Sequence, residues 1–548
     1  MKKGFTLIEL LAVIIILAII ALIATPVVLK VVDSAKESAR RSSVTGYADA
    51  IKLAVNEKMF ENKGIVPTIN TEFLSTIIYQ GESVTCSNVI NSNSYGVILN
   101  NCSVGVNTNL YCYLSGKVYS CDDTTFTDIY TNLISKYTDN SGANYPELYD
   151  NMIPVYYNGT SWVYANVYDD AWYDYGAKKW ANAVVLVSSP SKTYSAGDTI
   201  SMDDIGEMYV WIPRYTYTIF NGNNGTVSAQ EINVIFEGET NTSGTVNCID
   251  SVTYSTSSTS SQTCTDSTNG SIINGTSTYT HPAFKFGATD LKGFWAGKFE
   301  ITGTIDSMTI KPNRNSLRGI ILANFFTGVS NIATQYSLNA DSHVIKNIEW
   351  GAIAYLKQSK YGLGNVDIGL NNSSTYITGC GAATGSATST ECNTYDTETG
   401  MLASTTGNIY GVYDMSGGMI EYVMGDMMHN TYASPQVGYN TSFYSGFNGK
   451  LADGTNYTSG IALPNIKYYD YYSNNLDSTV ISRGKLGDAT KETKGWYSDT
   501  NQFIYGNYPW LTRGEYNSRG NSAGVFAFSN NTGFSDGNKT TRVVLVSK

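Results

Sequence analysis

MKKGFTLIELLAVIIILAIIALIATPVVLK, residues 1–30, is the stretch from which the rest of the chain has to be read. No charged residue occurs between Leu10 and Leu29, and an apolar helix of about 20 residues spans a bilayer core of roughly 30 Å. One carboxylate, Glu9, stands at the outer edge of this run, after a short basic leader and Phe5. A carboxylate in an apolar span costs roughly 2.5–3.5 kcal/mol on insertion scales, so Glu9 calls for a positive partner, which a neighbouring chain can supply. A secretory signal would end in a small-x-small cleavage site after the apolar run. None follows, and the helical pattern continues from Lys30 to Asn56, so the segment is expected to be retained.

Pro26 removes a backbone donor inside that helix and can kink or locally melt it. After it, Val27, Val28, Val31, Val32, Ala35, Ala39, Val44, Tyr47, Ala48, Ile51, Leu53, Ala54 and Val55 form an apolar face, with Lys36, Glu37, Arg40, Arg41 and Lys52 between them. A helix from Phe5 to near Lys58 is about 80 Å long. Its first half suits a fibre or membrane interior and its second half underlies a globular head. Arg40 and Arg41 either meet lipid headgroups or form a solvated face, and the solvated face is the simpler reading.

The run Gly4, Phe5, Thr6, Leu7, Ile8, Glu9 behind a basic leader resembles the prepilin signature of type IV pilins and pseudopilins. The resemblance implies that a prepilin peptidase cuts between Gly4 and Phe5 and methylates the new amino group. It also implies that Glu9 pairs with the terminal amine of an adjacent pilin subunit during assembly, and that Pro26 is the helix-disrupting proline of assembled pilins. A plain N-terminal anchor is the alternative, and it explains neither Glu9 nor the leader. The precursor then sits in the inner or cytoplasmic membrane, and the assembled protein in an extracellular pilus at the cell surface.

At 548 residues the chain has room for about three domains, and 15% charged with 42% hydrophobic residues describes globular material. The 42 tyrosines, among abundant Asn, Ser, Thr and Gly, point to β-rich surfaces that contact ligands by stacking and hydrogen bonding. A net charge of -11 argues against nucleic acid, or an anionic membrane surface, as the partner of the globular part. By spacing, the eight cysteines group as Cys86 with Cys102, Cys112 with Cys121, Cys248 with Cys264 and Cys380 with Cys392. None has C-x-x-C spacing, and an even number in an exported chain reads as disulfides; free buried thiols are the alternative, and the connectivity is open.

The chain divides into the leader 1–4, the pilin helix 5–60, a small pilin-type head at 61–125, a polar linker at 126–145 and a large domain at 146–548. Ser/Thr-rich insertions fall at 239–280 and 371–407. In the head, LYCYLSGKVYSC reads as a hairpin turning at Ser115–Gly116. IPVYYNGTSWVYAN opens the large domain with a hairpin at Asn158–Gly159, a dipeptide suited to a type I′ turn.

MYVWIPRYTY (208–217), HPAF (281–284), GFWAGKFEITG (293–303), EWGAIAYLKQSKYG (349–362), GNIYGVYDMSGGMIEYVMG (407–425), RGEYNSRGNSAGVF and TTRVVLV together resemble a formylglycine-generating-enzyme-like domain, a variant of the C-type lectin fold. Ile420 stands where the family has tryptophan before its acid, and Thr540–Thr541 where it has Gly-Phe before Arg542. The fold class is therefore expected to be α+β: a long N-terminal α-helix with a small pilin β head, then a large C-type-lectin-like mixed α/β domain. The generating enzymes hold copper on a cysteine pair near the C-terminus, but no cysteine occurs between Arg513 and Lys548. His281, His343 and His429 are the only histidines, and no H-E-x-x-H, G-x-S-x-G or phosphate-loop pattern occurs. The expectation is a non-enzyme without catalytic residues.

Two sites follow from the resemblance. The segment matching the family's calcium turn puts Asp414, Gly417, Met419 and Glu421 in the ligand positions, and hard oxygen donors suit calcium, the one cofactor implied. Asp414 and Glu421 equally well cap and bridge the turn. The last loops before the final strand form the family's binding face, here Glu515–Asn538, with Asn517, Ser518, Arg519, Asn521, Phe526, Phe528, Asn530, Asn531 and Phe534 as candidates; ordinary loop and strand roles are the alternative for each. Two functions are consistent with this: a minor, tip-located pilin adhesin whose head holds a surface ligand, glycan or protein, or a pseudopilin priming a secretion or competence fibre without an external ligand.

Overall fold

The computed structural model describes residues 6–61, 69, 71–92, 96–135, 139, 141–165, 167, 171–219, 229–246, 278–369, 394–427, 445–447, 460–472, 484–505 and 508–548. They fall into two compact units that divide between Ile134 and Ser135.

The first unit is built on one helix, Leu7–Glu61, with Pro26 inside it. Its apolar side chains are exposed from Leu7, at 83%, to Val32, at 41%. Further along, Val44, Tyr47, Ala48, Ile51 and Val55 recur at helical spacing and are buried. They pack with a four-stranded antiparallel sheet of Val84–Ser92, Gly96–Val104, Tyr111–Leu114 and Lys117–Ser120. Ser115 and Gly116, both at positive φ, make the second hairpin's turn where the sequence places it. Cys86–Cys102 and Cys112–Cys121 form disulfides; Cys248, Cys264, Cys380 and Cys392 lie outside the described residues.

Helix and sheet are tied by polar contacts. The Tyr111 hydroxyl donates to Glu37 Oε2 at 2.7 Å, and Arg41 donates to Glu37 Oε1 at 2.9 Å and to the Val118 carbonyl at 3.0 Å. Arg41 is thus committed to the head. The stretch expected as a linker begins inside a further helix, Thr124–Ser135. Phe126, Ile129, Tyr130 and Leu133 recur at helical spacing, Phe126 is fully buried, and its ring stacks on Tyr130 at 5.2 Å. Polar composition concealed that apolar stripe.

The second unit is mostly sheet, which with the long helix gives an α+β chain. A seven-stranded antiparallel sheet runs in the order Asp341–Val344, Val543–Val546, Gly293–Gly297, Ile205–Pro213, Asn182–Leu186, Met152–Tyr157, Trp162–Tyr164. The C-terminal strand is therefore interior, next to the edge strand Asp341–Val344, and Ile205–Pro213 is central. A five-stranded mixed sheet joins Asp470–Tyr472, Ile420–Met427, Trp510–Gly514 and Gly524–Asn531, with Lys539–Thr541 also paired to Ile420–Met427. Every residue of Ile205–Pro213 and of Ile420–Met427 is buried, as expected of strands covered on both faces. The helix Asn347–Lys357 is buried along its whole length. Its first turn is satisfied from a distance, the Ile348 N–H donating to Asp470 Oδ2 at 2.7 Å.

The hairpin at Asn158–Gly159 differs from a two-residue type I′ turn. Tyr157 pairs with Trp162, leaving a four-residue loop. The Asn158 side chain accepts from the N–H groups of Thr160 and Ser161 at 3.0 and 2.9 Å, so it builds the turn itself.

Candidate functional site

At the N-terminus, Glu9 Oε2 accepts the Thr6 N–H and the Thr6 hydroxyl, each at 2.8 Å, and the Glu9 N–H donates back to Thr6 Oγ1 at 3.3 Å. This reciprocal cap occupies the carboxylate within its own chain. Pro26 lies in an unbroken helix. The pair Gly4 and Phe5, where the cut is expected, lies outside the described residues.

In the second unit the expected binding face separates by burial. Phe526 and Phe528 are each 1% exposed and belong to the core, so neither is available to a ligand. Phe526 meets Trp496 edge-on at 5.1 Å, and Phe528 lies 5.8 Å from the Arg513 guanidinium. The Phe528 N–H donates to the Thr500 carbonyl, and the Gln502 N–H donates to the Phe528 carbonyl, so residues 500–502 cover the outer edge of this strand. Asn531 Oδ1 accepts the Tyr422 hydroxyl at 2.7 Å, and Asn530 donates to the Phe503 carbonyl at 2.9 Å; both pin the sheet.

At the surface remain Arg519, Asn521 and Phe534, the last 40% exposed. Arg519 stacks 4.9 Å from the Tyr516 ring and lies 3.7 Å from the Glu515 carboxylate. Burial pushes the Glu515 carboxyl up, against the pull of Arg519 and Lys539. Asn517 and Ser518 belong to the same short helical turn, Asn517–Ser522, and their side chains lie outside the described residues.

The turn expected to bind calcium has a cation of its own. Glu421 Oε1 accepts Arg542 Nη2 at 2.5 Å and Oε2 accepts Arg542 Nε at 3.1 Å, both side chains being fully buried. Arg542 also donates to the carbonyls of Gly297 and Tyr413, each at 2.8 Å. The Met419 N–H donates to Glu300 Oε1 at 2.8 Å, the Gly417 N–H to the Gly514 carbonyl at 3.2 Å, and Asp414 takes a left-handed φ of 60°. Burial, with the nearby charges of Glu421 and Asp414, pushes Glu300 far above the usual carboxylate range. With both Glu421 oxygens on Arg542, this donor set does not fit calcium unless the guanidinium is displaced. Among the described residues no group of three or more His, Cys, Asp and Glu is arranged to hold a metal.

His281 and His343 are buried, and His429 lies outside the described residues. His281 Nδ1 accepts the Ala283 N–H at 3.2 Å, and burial pushes its pKa down to about 3. His343 lies between Asp341, at 3.3 Å, and Glu349, at 3.0 Å. Sequence reasoning missed these pairs and the buried Arg214–Glu237 bridge at 2.9 Å. One signal was present for Arg542: an arginine inside the apolar run TTRVVLV requires a buried acid.

Residues 1–25 match the model of the prokaryotic N-terminal methylation motif. The chain accordingly carries a type IV prepilin-like N-terminus, which implies association with other pilin subunits and processing by a prepilin peptidase. Among solved structures, the Major Tropism Determinant I1 Variant and M1 Variant are each 10% identical, over 85% of this chain and 84% of theirs, at a TM-score of 0.24. A TM-score of 0.24 is too low to establish a common fold. No curated protein matches the chain.

Proposed function

We propose that the chain is a minor type IV pilin, placed at or near the fibre tip, that displays its second unit as a non-catalytic, lectin-fold adhesive head. The observation that carries this reading is the methylation motif and Glu9-bearing helix, followed by a small disulfide-closed head and then a second compact unit several times larger. A head of that size in every subunit would crowd a fibre. The ligand, a surface glycan or protein, is assigned to the exposed remainder of the Glu515–Asn538 face, namely Arg519, Asn521 and Phe534 with the neighbouring Asn517–Ser522 turn. The absence of catalysis is part of the proposal, supported by the burial of His281 and His343. Asp414 and Glu421 are assigned to the core of the turn, and calcium is left out of the mechanism because Arg542 holds Glu421.

Sheared fibres test the placement. Labelled protein should be recovered at fibre ends, and Glu9→Ala should remove it from fibres while the second unit stays folded. Absence from the fibres of cells that make the protein would overturn the adhesin reading in favour of an assembly-priming pseudopilin.

A further inference from the structure

Four oxygens from three separate parts of the second unit converge on the Arg542 guanidinium. Oε1 and Oε2 of Glu421 come from the strand Ile420–Met427, the Gly297 carbonyl from the end of Gly293–Gly297, and the Tyr413 carbonyl from the residue before Asp414, where the turn begins. Four of the five guanidinium donors are used. A bidentate carboxylate with two backbone carbonyls is also the kind of donor set that holds a hard divalent cation. Here the same oxygens serve a side chain of fixed charge that is weakly hydrated and tolerates full burial.

Further acid surrounds the pair. Glu300 reaches under the turn, where Oε1 accepts the Met419 N–H at 2.8 Å and Oε2 accepts the Ser316 hydroxyl. Gly418, at a φ of 67°, permits this approach, because a Cβ there would stand 2.5 Å from Glu300 Oε1 and 3.1 Å from the Asp414 Cβ. Glu300, Asp414 and Glu421 thus gather about one turn, and Arg542 supplies the positive charge bonded to it.

The place of Arg542 in the chain gives that charge a bridging role. Before it, Lys539–Thr541 pairs with Ile420–Met427 in the five-stranded sheet; after it, Val543–Val546 lies in the seven-stranded sheet. Its bonds repeat the connection, since Glu421 belongs to the first sheet and Gly297 to the second. A free ion at this point has to displace a cation that is tethered on both sides and cannot dilute away.

We propose that Arg542 is a built-in replacement for a divalent cation: its guanidinium bridges the two sheets through Glu421, Gly297 and Tyr413, makes folding of the second unit independent of calcium and of chelators, and keeps divalent ions from a site that opens when the side chain is removed. The assignment does not depend on the adhesin reading; only its consequence, that the head keeps its ligand in chelator, rests on it.

An ordinary buried ion pair makes a different prediction. Removing Arg542 from such a pair leaves Glu421 uncompensated, and the loss is the same whichever cation is in solution. Removing a stand-in cation leaves Glu421 and the two carbonyls facing vacated space, with Glu300 and Asp414 close by, and a hard cation with part of its water shell can take that space.

Urea unfolding of the full-length protein in detergent, followed by tryptophan fluorescence in EDTA or in calcium at equal ionic strength, separates the two. Wild type should give coincident midpoints. Arg542→Ala should be less stable than wild type in EDTA and regain stability in calcium, its folding equilibrium constant rising about tenfold when free calcium is about ten times its dissociation constant. Adding Glu421→Gln should abolish the regain. An Arg542→Ala midpoint that is the same in both media, or a regain that survives Glu421→Gln, overturns the proposal, as does a wild-type midpoint raised by calcium. Should Arg542→Ala fold in neither medium, the wild type decides: coincident midpoints support the built-in cation, and a midpoint raised by calcium overturns it. Loss of adhesion in EDTA at an unchanged wild-type midpoint would bear on the adhesin reading alone.

Discussion

Arg542→Met is the substitution that tests the core of the second unit most directly. Arg542 lies between the strands Lys539–Thr541 and Val543–Val546, and its guanidinium is fully buried. It holds both oxygens of Glu421 and the carbonyls of Gly297 and Tyr413, which belong to other parts of the unit. Methionine fills similar space but leaves Glu421 as an uncompensated buried charge near Glu300 and Asp414, so the loss should be about 3–5 kcal/mol at neutral pH. Against a domain stability of about 5–15 kcal/mol that is a large fraction. Without Arg542, Glu421 can escape part of the cost by taking a proton. Its folded pKa, already raised by burial, then rises further, so stability present below the usual carboxylate range is lost as pH climbs through the new value, and the variant should be closer to wild type at pH 5 than at pH 8. In the double variant with Glu421→Met only the two carbonyls remain unsatisfied, at about 1 kcal/mol each, so it should be more stable than Arg542→Met alone. Guanidinium unfolding of the full-length protein in detergent, followed by tryptophan fluorescence, reports this unit, because all eight tryptophans lie in it and are at most 1% exposed. A single-variant loss below about 1 kcal/mol, or additive losses in the double variant, would refute the reasoning.

The His343 network gives a second pH signature. Burial alone would lower the His343 pKa, but Glu349 and Asp341 outweigh it and hold it above the ordinary value. Its contribution is therefore complete below about pH 6.5 and is lost as pH rises through the raised value; His343→Gln should be destabilised in acid relative to wild type and converge with it in alkali, as seen in parallel unfolding titrations. In the first unit, replacing Cys86 and Cys102 by alanine should cost about 3 kcal/mol by loss of loop constraint. Proteolysis of the head should accelerate, and a rate unchanged from wild type would contradict the estimate.

What could be read in advance was local. The 55-residue helix, the hairpin at Ser115–Gly116 and the near-sequence cysteine pairs depend on periodicity or on spacings of nine and sixteen residues. Phe526 and Phe528 illustrate what could not. The family resemblance and the loop composition favoured an exposed aromatic face, whereas residues 500–502 pair along that strand and close it over. Nothing in residues 515–538 announces a cover contributed from upstream. The same holds for Glu421 and Arg542, 121 residues apart in sequence, and for Glu300, which comes to the calcium-like turn from the Gly-Lys-Phe-Glu run of a different sheet region. The helix Thr124–Ser135 was missed for the opposite reason, since its apolar stripe is local but diluted by threonine and asparagine.

The energetics of location and of folding are separated along one helix. Removing a leucine or isoleucine side chain from water is worth about 1.5–3 kcal/mol, and the exposed residues between Leu7 and Val32 include Leu10, Leu11, Ile14, Ile15, Ile16, Leu17, Ile19 and Ile20, each more than half exposed. At about half exposure each, the eight together are worth roughly as much as the whole stability of a typical domain. Lipid or neighbouring helices must therefore cover them, because the rest of the first unit does not. Contacts with the sheet begin only where Glu37, Arg41 and Val44 meet it. On the pilin reading a change at Glu9 should alter the destination of the chain and leave the head folded, whereas a change at Val44 or Ile51, both fully buried, removes the apolar face on which the head is built.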